Sequence, residues 1–564
     1  MSGSRDFVAL AAVVACAAAI AWFYYTGLYC SDDTRYLIGA IRIAIGEDIS
    51  TGSLAERRVA LLIPAALMYG LTRSIDWAIA IYPLFYVGVG VVSYVLARRF
   101  FGRRAAVVAA LLALAQPTLF LYAGALTPDL ASAFFLALAL FFVCLMIDAE
   151  ARGPRLWLAA AIGASIAMAF VLKESSAVIV VIPAVLVAVG LARKQVAVSI
   201  TVAAMMVAGF GLVLLLETVL FRVAAGHWYS SVASLLAPHD FGRYVDVQGR
   251  TPLMRLRTLR VVLGPHATML FLVAGVGSIQ LLWQSLKRQL SFREAVTWWT
   301  IAGFWAWPAF YFTFGTASLS EYAPPVMQQR YYAPCVVPAV LLVVRLLESF
   351  VSAPVWKPGR LAGGLVAAGL LLLLLAAPYA ERHQRGLIYG APAKEAFIIA
   401  VADLQRRFPE LPIVDTDSGW TTDLNRCRAL LRSDPADGEG KLLEAIRSRS
   451  DLHGRFGYLK PTNLEGPYLL VGHGHLLSEK EPKRWVQELN KRVELGEVRA
   501  ERVGVYSIAR TRDLVKWRWL PRELAVRGST ADPKGEQEIA TFRESDRAVL
   551  DAPHQSVEAY LITP

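Results

Sequence analysis

The chain has 564 residues, 56% of them apolar and only 18% charged, against about 25% charged in soluble domains. Residues 381–564 hold 28 acids and 29 bases, which leaves 17 acids and 28 bases among the first 380. A single soluble enzyme, a fibrous protein and a disordered chain are excluded; a membrane part (1–380) followed by a polar globular part fits. The net charge of +12 lies almost wholly in the membrane part, in short clusters between apolar runs. That is a topology signal, and it argues against a nucleic-acid partner. Five cysteines (Cys16, Cys30, Cys144, Cys335, Cys427) show no CxxC pair, so thiol chemistry is not indicated.

A helix needs about 20 apolar residues to cross a bilayer. In chain order such runs fall at 6–27, 76–97, 104–123, 128–147, 156–172, 175–192, 196–221, 264–283, 297–316, 331–348 and 361–380, which predicts eleven spans. The run 59–71 is too short and reads as an interfacial helix. Bases crowd alternate short connections: Arg98, Arg99, Arg103 and Arg104; Arg152 and Arg155; Arg193 and Lys194; Lys287, Arg288 and Arg293; Lys357 and Arg360. By the positive-inside rule these face the cytoplasm. The N-terminus is then cytoplasmic, and the long loops 28–75, 222–263 and 317–330 lie outside with the C-terminal part. Such loops on a rigid scaffold are where chemistry concentrates.

The C-terminal part alternates helical periodicity (394–407, 481–493) with strand-like runs (411–416, 467–472, 503–509), the pattern of a small α/β domain over 381–510. The polar tail 511–564 has no fold legible in the sequence.

Four constellations on the expected outer side could carry chemistry. Ser31–Tyr36 (SDDTRY) places Asp32 and Asp33 before Arg35 and Tyr36. One acid could serve as base or hold a cation, and the Arg could face an anionic leaving group. The same residues also describe a helix N-cap ahead of an amphipathic stretch through Leu37, Ala40, Ile41, Ala44 and Ile45. Thr127-Pro128-Asp129 is a well-formed helix start that brings another carboxylate to that side. Lys173-Glu174 sits between two spans with almost no loop; Lys173 either snorkels to the interface or faces a lipid phosphate. Glu217 lies inside a span, where an acid is paired or functional, with Arg222 as the expected partner. In Glu321–Tyr332 (EYAPPVMQQRYY), Arg330 could grip a phosphate, while Tyr331 and Tyr332 suit either sugar stacking or an interfacial aromatic belt. His473 and His475 lack a third metal ligand and read as loop.

An N-terminal span followed by Asp32-Asp33-Thr34-Arg35-Tyr36, then Phe101-Gly102-Arg103, Leu126-Thr127-Pro128-Asp129, Leu172-Lys173-Glu174, and Arg330-Tyr331 with Pro334 and Pro338 resembles the C-type (GT-C) glycosyltransferases. Within that superfamily it is similar to the protein O-mannosyltransferases, the lipid A aminoarabinose transferases and bacterial galacturonosyl/mannosyltransferase relatives, over about residues 5–350. The resemblance implies a GT-C-like helical membrane fold in the inner (plasma) membrane. The implied activity moves a sugar from a polyprenyl-phosphate donor to an extracytoplasmic acceptor hydroxyl on a lipid, glycan or protein, with inversion. It also implies Asp32, Asp33 and Asp129 as catalytic acids, and Arg35, Tyr36, Lys173 and Arg330 as donor-phosphate contacts. A divalent cation (Mg or Mn) at Asp32 and Asp129 is an optional cofactor. The chain departs from the family in having Asp33 where many relatives have Glu, and Glu56-Arg57-Arg58 where some have a Lys-Pro donor loop. A transporter or flippase, and an anchored sensor or scaffold, are rival classes. The sequence shows no inverted repeat or paired broken helices to favour transport.

Overall fold

In the computed structural model, residues 2–23, 32–47, 49, 54–232, 251–316, 324, 327–352, 400, 401, 403, 404, 406–415, 466–473, 484–508, 526, 527 and 556–564 are described. The chain divides into two compact units. One holds Met1–Tyr25, Ile45–Ala66 and Ile79–Ala380; the other holds Thr26–Ala44, Leu67–Ala78 and Glu381–Pro564.

The first unit is a helical bundle. Its helices are α1 (Ser2–Phe23), α3 (Leu54–Arg57), α4 (Val59–Thr72, shared across the division), α6 (Pro83–Phe100), α7 (Arg103–Leu114), α8 (Pro117–Phe120), α9 (Pro128–Asp148), α10 (Arg152–Leu172), α11 (Val181–Ala192), α12 (Val196–Ala225), α13 (Pro252–Leu286), α14 (Phe292–Phe314) and α15 (Val336–Ser352). Short 3-10 segments, Glu174–Val180 and Gln329–Cys335, lead into α11 and α15. Among the described residues, eight helical stretches are long and apolar enough to cross a membrane. They coincide with eight of the eleven expected spans, and α14 covers a ninth, 297–316. The run 104–123 differs, because α7 stops at Leu114. Gln116 precedes a proline and takes an extended conformation (φ −76°, ψ 130°), from which Pro117 opens α8. The expected span 361–380 lies outside the described residues.

Backbone irregularities here have local causes. Gly264 has φ 71° just before Pro265, which breaks α13, and Gln329 Nε2 donates to the Leu263 carbonyl at 3.2 Å beside that break. Helix α12 ends on Gly226 with φ 72°, the left-handed cap that turns the chain back on itself.

The tightest helix contact is between α10 and α12. A Cβ built on Gly163 would lie 1.9 Å from the Met206 carbonyl oxygen, and one on Gly209 would lie 2.0 Å from that of Ala160. Both neighbours are backbone, so nothing can swing aside. Small residues allow this approach where lipid gives helices no hydrophobic reason to associate. The contact matters for function because α10 carries Lys173 at its C-terminal end and α12 carries Glu217.

In the second unit, α2 (Asp32–Ala44) buries Tyr36, Leu37, Ala40 and Ile41, as the amphipathic reading requires. The unit also holds α5 (Ile75–Ala80, which ends in the first unit) and a five-stranded mixed sheet in the order β1-β2-β5-β3-β4. The strands are β1 (Ile413–Asp415), β2 (Tyr468–His473), β3 (Arg499–Ile508), β4 (Val526–Arg527) and β5 (Ser556–Thr563). β1 runs parallel to β2; the other neighbours are antiparallel. The three expected strands and the helix near 481–493, here α16 (Arg484–Glu494), are present. Residues 556–563 of the tail, whose fold the sequence left open, supply β5, the middle strand. β5 (SVEAYLIT) pairs with β2 on one edge and β3 on the other. His473 ends β2 opposite Val557; His475 lies outside the described residues.

Gly163→Ala and Gly209→Ala should each lower stability by about 1–3 kcal/mol, the usual range for overpacking. Gly211→Ala on α12, whose Cβ would meet nothing within 4 Å, should be neutral. Thermal unfolding of the detergent-solubilised protein checks this; equal melting temperatures for all three variants would refute the close-approach reading.

Candidate active site

Asp129 stands in the first turn of α9, behind the extended Thr127 and Pro128 at N1. The expected helix start is present, although the Thr127 side chain makes no capping bond. Asp129 is 3% exposed, and a buried carboxylate must be paired. Lys173, the C-cap of α10, donates from Nζ to Asp129 Oδ1. Arg330, in the 3-10 segment before α15, brings Nε to 3.7 Å from Oδ2 and donates to Gln328 Oε1 at 2.8 Å. Three segments far apart in sequence thus meet on one acid.

A second pair adjoins the first. Arg58, just ahead of α4, donates from Nη2 to Glu174 Oε2 at 2.9 Å. Its charge acts on both Asp129 and Lys173. The wall is aromatic: Lys173 Nζ lies 3.7 Å from the centre of the Tyr331 ring and 5.9 Å from that of Phe312, a cation–π arrangement that desolvation strengthens. Phe312 is in turn held from behind. Fully buried Arg255 on α13 donates to the carbonyls of Thr313 at 2.6 Å and Phe312 at 3.2 Å, near the end of α14. The Thr313 and Tyr332 hydroxyls share a hydrogen bond of 3.1 Å.

Three of the residues singled out in the sequence, Asp129, Lys173 and Arg330, therefore form one cluster. Lys173 does not snorkel; it is 9% exposed and turned inward. Tyr332 is fully buried in protein, and half-buried Tyr331 lies against Lys173 and Phe312. The expected Glu217–Arg222 pair is not formed. Five residues apart on a helix, the two side chains point about 140° from each other. Glu217 instead accepts from the Ser231 backbone N at 3.0 Å and from its hydroxyl, and Arg222 lies 5.9 Å from the Trp228 ring. Asp32 and Asp33 open α2, but their side chains lie outside the described set. Arg35 is exposed and Tyr36 buried on that helix, which belongs to the second unit. Residues 321–323, 325 and 326 of the Glu321–Tyr332 loop are also outside the described residues.

Sequence reading missed the Arg58–Glu174 pair and Arg255. The signal for the first was present: a glutamate fixed beside Lys173 with almost no loop needs its own counter-ion. As for a metal, no group of three or more His, Cys, Asp or Glu stands together among the described residues. Asp129 does not fit the ligand role proposed for it, because Lys173 and Arg330 engage its two oxygens.

If Asp129 is the counter-ion of Lys173, then Asp129→Ala should destabilise by about 3–5 kcal/mol by stranding buried cations. Asp129→Asn with Lys173→Met should be less destabilised than the sum of the single changes. A double-mutant cycle on melting temperature reads the coupling, and additivity would show that the two side chains do not interact.

A family model described as dolichyl-phosphate-mannose-protein mannosyltransferase matches residues 59–217, the segment that contains Asp129, Lys173 and Glu174. Among solved structures, the chain is similar to ArnT from Cupriavidus metallidurans bound to undecaprenyl phosphate, at 18% identity and TM-score 0.49, covering 82% of this chain and 92% of that one. It is also similar to the oligosaccharyltransferase AglB from Archaeoglobus fulgidus, in complex with an inhibitory peptide and a dolichol-phosphate, at 13% identity and TM-score 0.45, covering 89% of this chain and 73% of that one. No curated protein matches in sequence. The mannosyltransferase family segment, residues 59–217, thus covers the buried Asp129–Lys173 pair within a bundle of membrane-length helices.

Proposed function

We propose that this enzyme transfers a sugar from a polyprenyl-phosphate carrier to an acceptor hydroxyl of a glycan, lipid or protein on the outer face of the plasma membrane. The observation that carries this reading is the convergence of Lys173, Arg330 and Arg58 around Asp129. When the sugar's C1–O bond to the phosphate breaks, the singly charged diester becomes a doubly charged monoester. The new charge appears on the departing oxygen, and pre-placed cations in a water-poor site stabilise it with little reorganisation. Tyr331 and Phe312 wall the site on the Lys173 side.

Asp129 is the holder of these cations. A carboxylate hydrogen-bonded to Lys173 and facing Arg330 cannot readily take a proton, so the base must come from elsewhere. Asp32 takes that role: it accepts the acceptor's proton as the acceptor oxygen attacks C1 and the phosphate leaves from the opposite face, inverting the anomeric centre. Asp33 is its acidic neighbour. Arg35 and Tyr36 follow Asp32 by one helical turn on α2, and the family resemblance gives them contacts to the donor phosphate. No step is routed through a metal ion. The rival classes, transporter and scaffold, are not favoured, since neither calls for a glycosyltransferase family segment over this cluster.

In this reading the N-terminus is cytoplasmic and residues 381–564 lie outside, which the basic connections between spans support. A reporter active only outside the cytoplasm, fused after Pro564, is expected to be active; activity instead at a Lys287 fusion would reverse the topology and move the site to the wrong side.

Chemistry is tested with a polyprenyl-phosphate sugar as donor. Asp32→Asn keeps the size and the capping oxygen but cannot take a proton, so turnover should drop at least about 100-fold with the melting temperature unchanged, and Asp33→Asn should be milder. Full activity of Asp32→Asn would leave SDDTRY as a helix cap and nothing more. Lys173→Met should cost on the order of 100-fold in the same assay, and an unimpaired variant would remove the leaving-group role.

A further inference from the structure

Glu217 is a buried carboxylate that the proposed reaction does not use. It lies in the last third of α12 and is 4% exposed. Both its oxygens face Ser231, one accepting the backbone N–H at 3.0 Å and the other the hydroxyl. The chain reaches Ser231 by reversing at Gly226, so residues 227–232 fold back along their own helix. On the way Tyr229 packs on Phe221, ring centres 4.8 Å apart, one turn beyond Glu217. The Arg57 guanidinium lies over the Tyr229 ring, 5.8 Å from its centre. Arg57 is the neighbour of Arg58, which pairs with Glu174, and the charge of Glu217 itself acts on Glu174.

We infer that Glu217 is a positioning residue for the donor-phosphate grip: by clamping Ser231 it seats Tyr229 against Arg57 and so fixes the Arg57-Arg58 segment beside Glu174 and Lys173. This rests on the reading of Lys173, Arg330 and Arg58 as phosphate contacts. An acid in a membrane helix is expensive, and a turn of this size could close with apolar packing alone. The carboxylate supplies direction, since two acceptors on one serine fix both the position and the rotation of the returning strand. Tyr229 is then presented as a flat face to a cation, which a loosely packed loop would not do.

The test uses the full chain in nanodiscs, with undecaprenyl phosphate as the binding probe and undecaprenol as the headgroup-free control. Ser231→Ala removes one hydrogen bond and too little volume to unfold the protein. It should weaken binding of the phosphate probe about fivefold, the effect of one buried hydrogen bond, with undecaprenol unaffected. Glu217→Leu should weaken it by about tenfold or more, and Glu217→Gln, which can still accept from the backbone N–H, should recover most of the loss. Tyr229→Leu in the Glu217→Leu background should add little, because the two act in series. A clamp that is merely structural predicts lowered melting temperatures with unchanged probe affinity in the folded fraction, and that outcome, in Ser231→Ala or Glu217→Leu, overturns the inference. Lys173→Met separates the two levels. If it too binds the probe normally, the phosphate-grip reading fails. If it loses binding while Ser231→Ala and Glu217→Leu do not, only the positioning role of Glu217 fails.

Discussion

A carboxylate removed from water inside a membrane protein must find a cation or lose its charge, and the placement of Asp129 makes that demand at the mouth of α9. The helix start admits it cheaply: Pro128 gives up no hydrogen bond at N1, and the positive end of the helix favours an acid in the first turn. Burial then requires Lys173 from the end of α10 and draws in Arg330 from the segment before α15. Three segments are tied at one end of the bundle by a single group. The resulting set of cations is held in place before any substrate arrives, which is what electrostatic catalysis requires.

The supporting packing is arranged to keep that end from spreading. Gly163 and Gly209 let α10 and α12 touch backbone to backbone, so Lys173 and Glu217 stand on two rods that cannot shift independently. Arg255 ties α13 to the last carbonyls of α14, where Phe312 backs Lys173. A buried guanidinium serving a helix C-terminus satisfies carbonyls that a membrane would otherwise leave unpaired. The opposite end of the bundle has its own ionic ties, Asp6–Arg98 and Arg99–Asp148, which lie nearer water and are worth correspondingly less.

Much of this was legible in the sequence because membrane helices write their period and length plainly. Asp129, Lys173 and Arg330 stood out as charges where charges are costly, and the family resemblance ordered them. What could not be read was partnership. Glu217 looked as if it belonged to Arg222 by proximity along the chain, yet helical geometry turns the two apart and gives Glu217 to a serine across a reversal. Arg58 read as a departure from a donor loop, when its role depends on Glu174, 116 residues away. The break at Gln116-Pro117 was visible as a proline and was overridden by the apolar run around it. β5 escaped because a strand that pairs on both edges is specified by its neighbours β2 and β3 more than by its own alternation.

The two groups of acids differ in what surrounds them, and that difference assigns their work. Asp129 is committed: Lys173 and Arg330 occupy its oxygens, and removing its charge would strand them. Asp32 and Asp33 open α2, in the second unit. An ionised acid of ordinary strength is a weak base, and it removes little of the acceptor's proton before the glycosidic bond has lengthened. In the proposed reaction the leaving phosphate must therefore carry much of the developing charge early, which puts the larger share of the barrier on the cations that Asp129 holds.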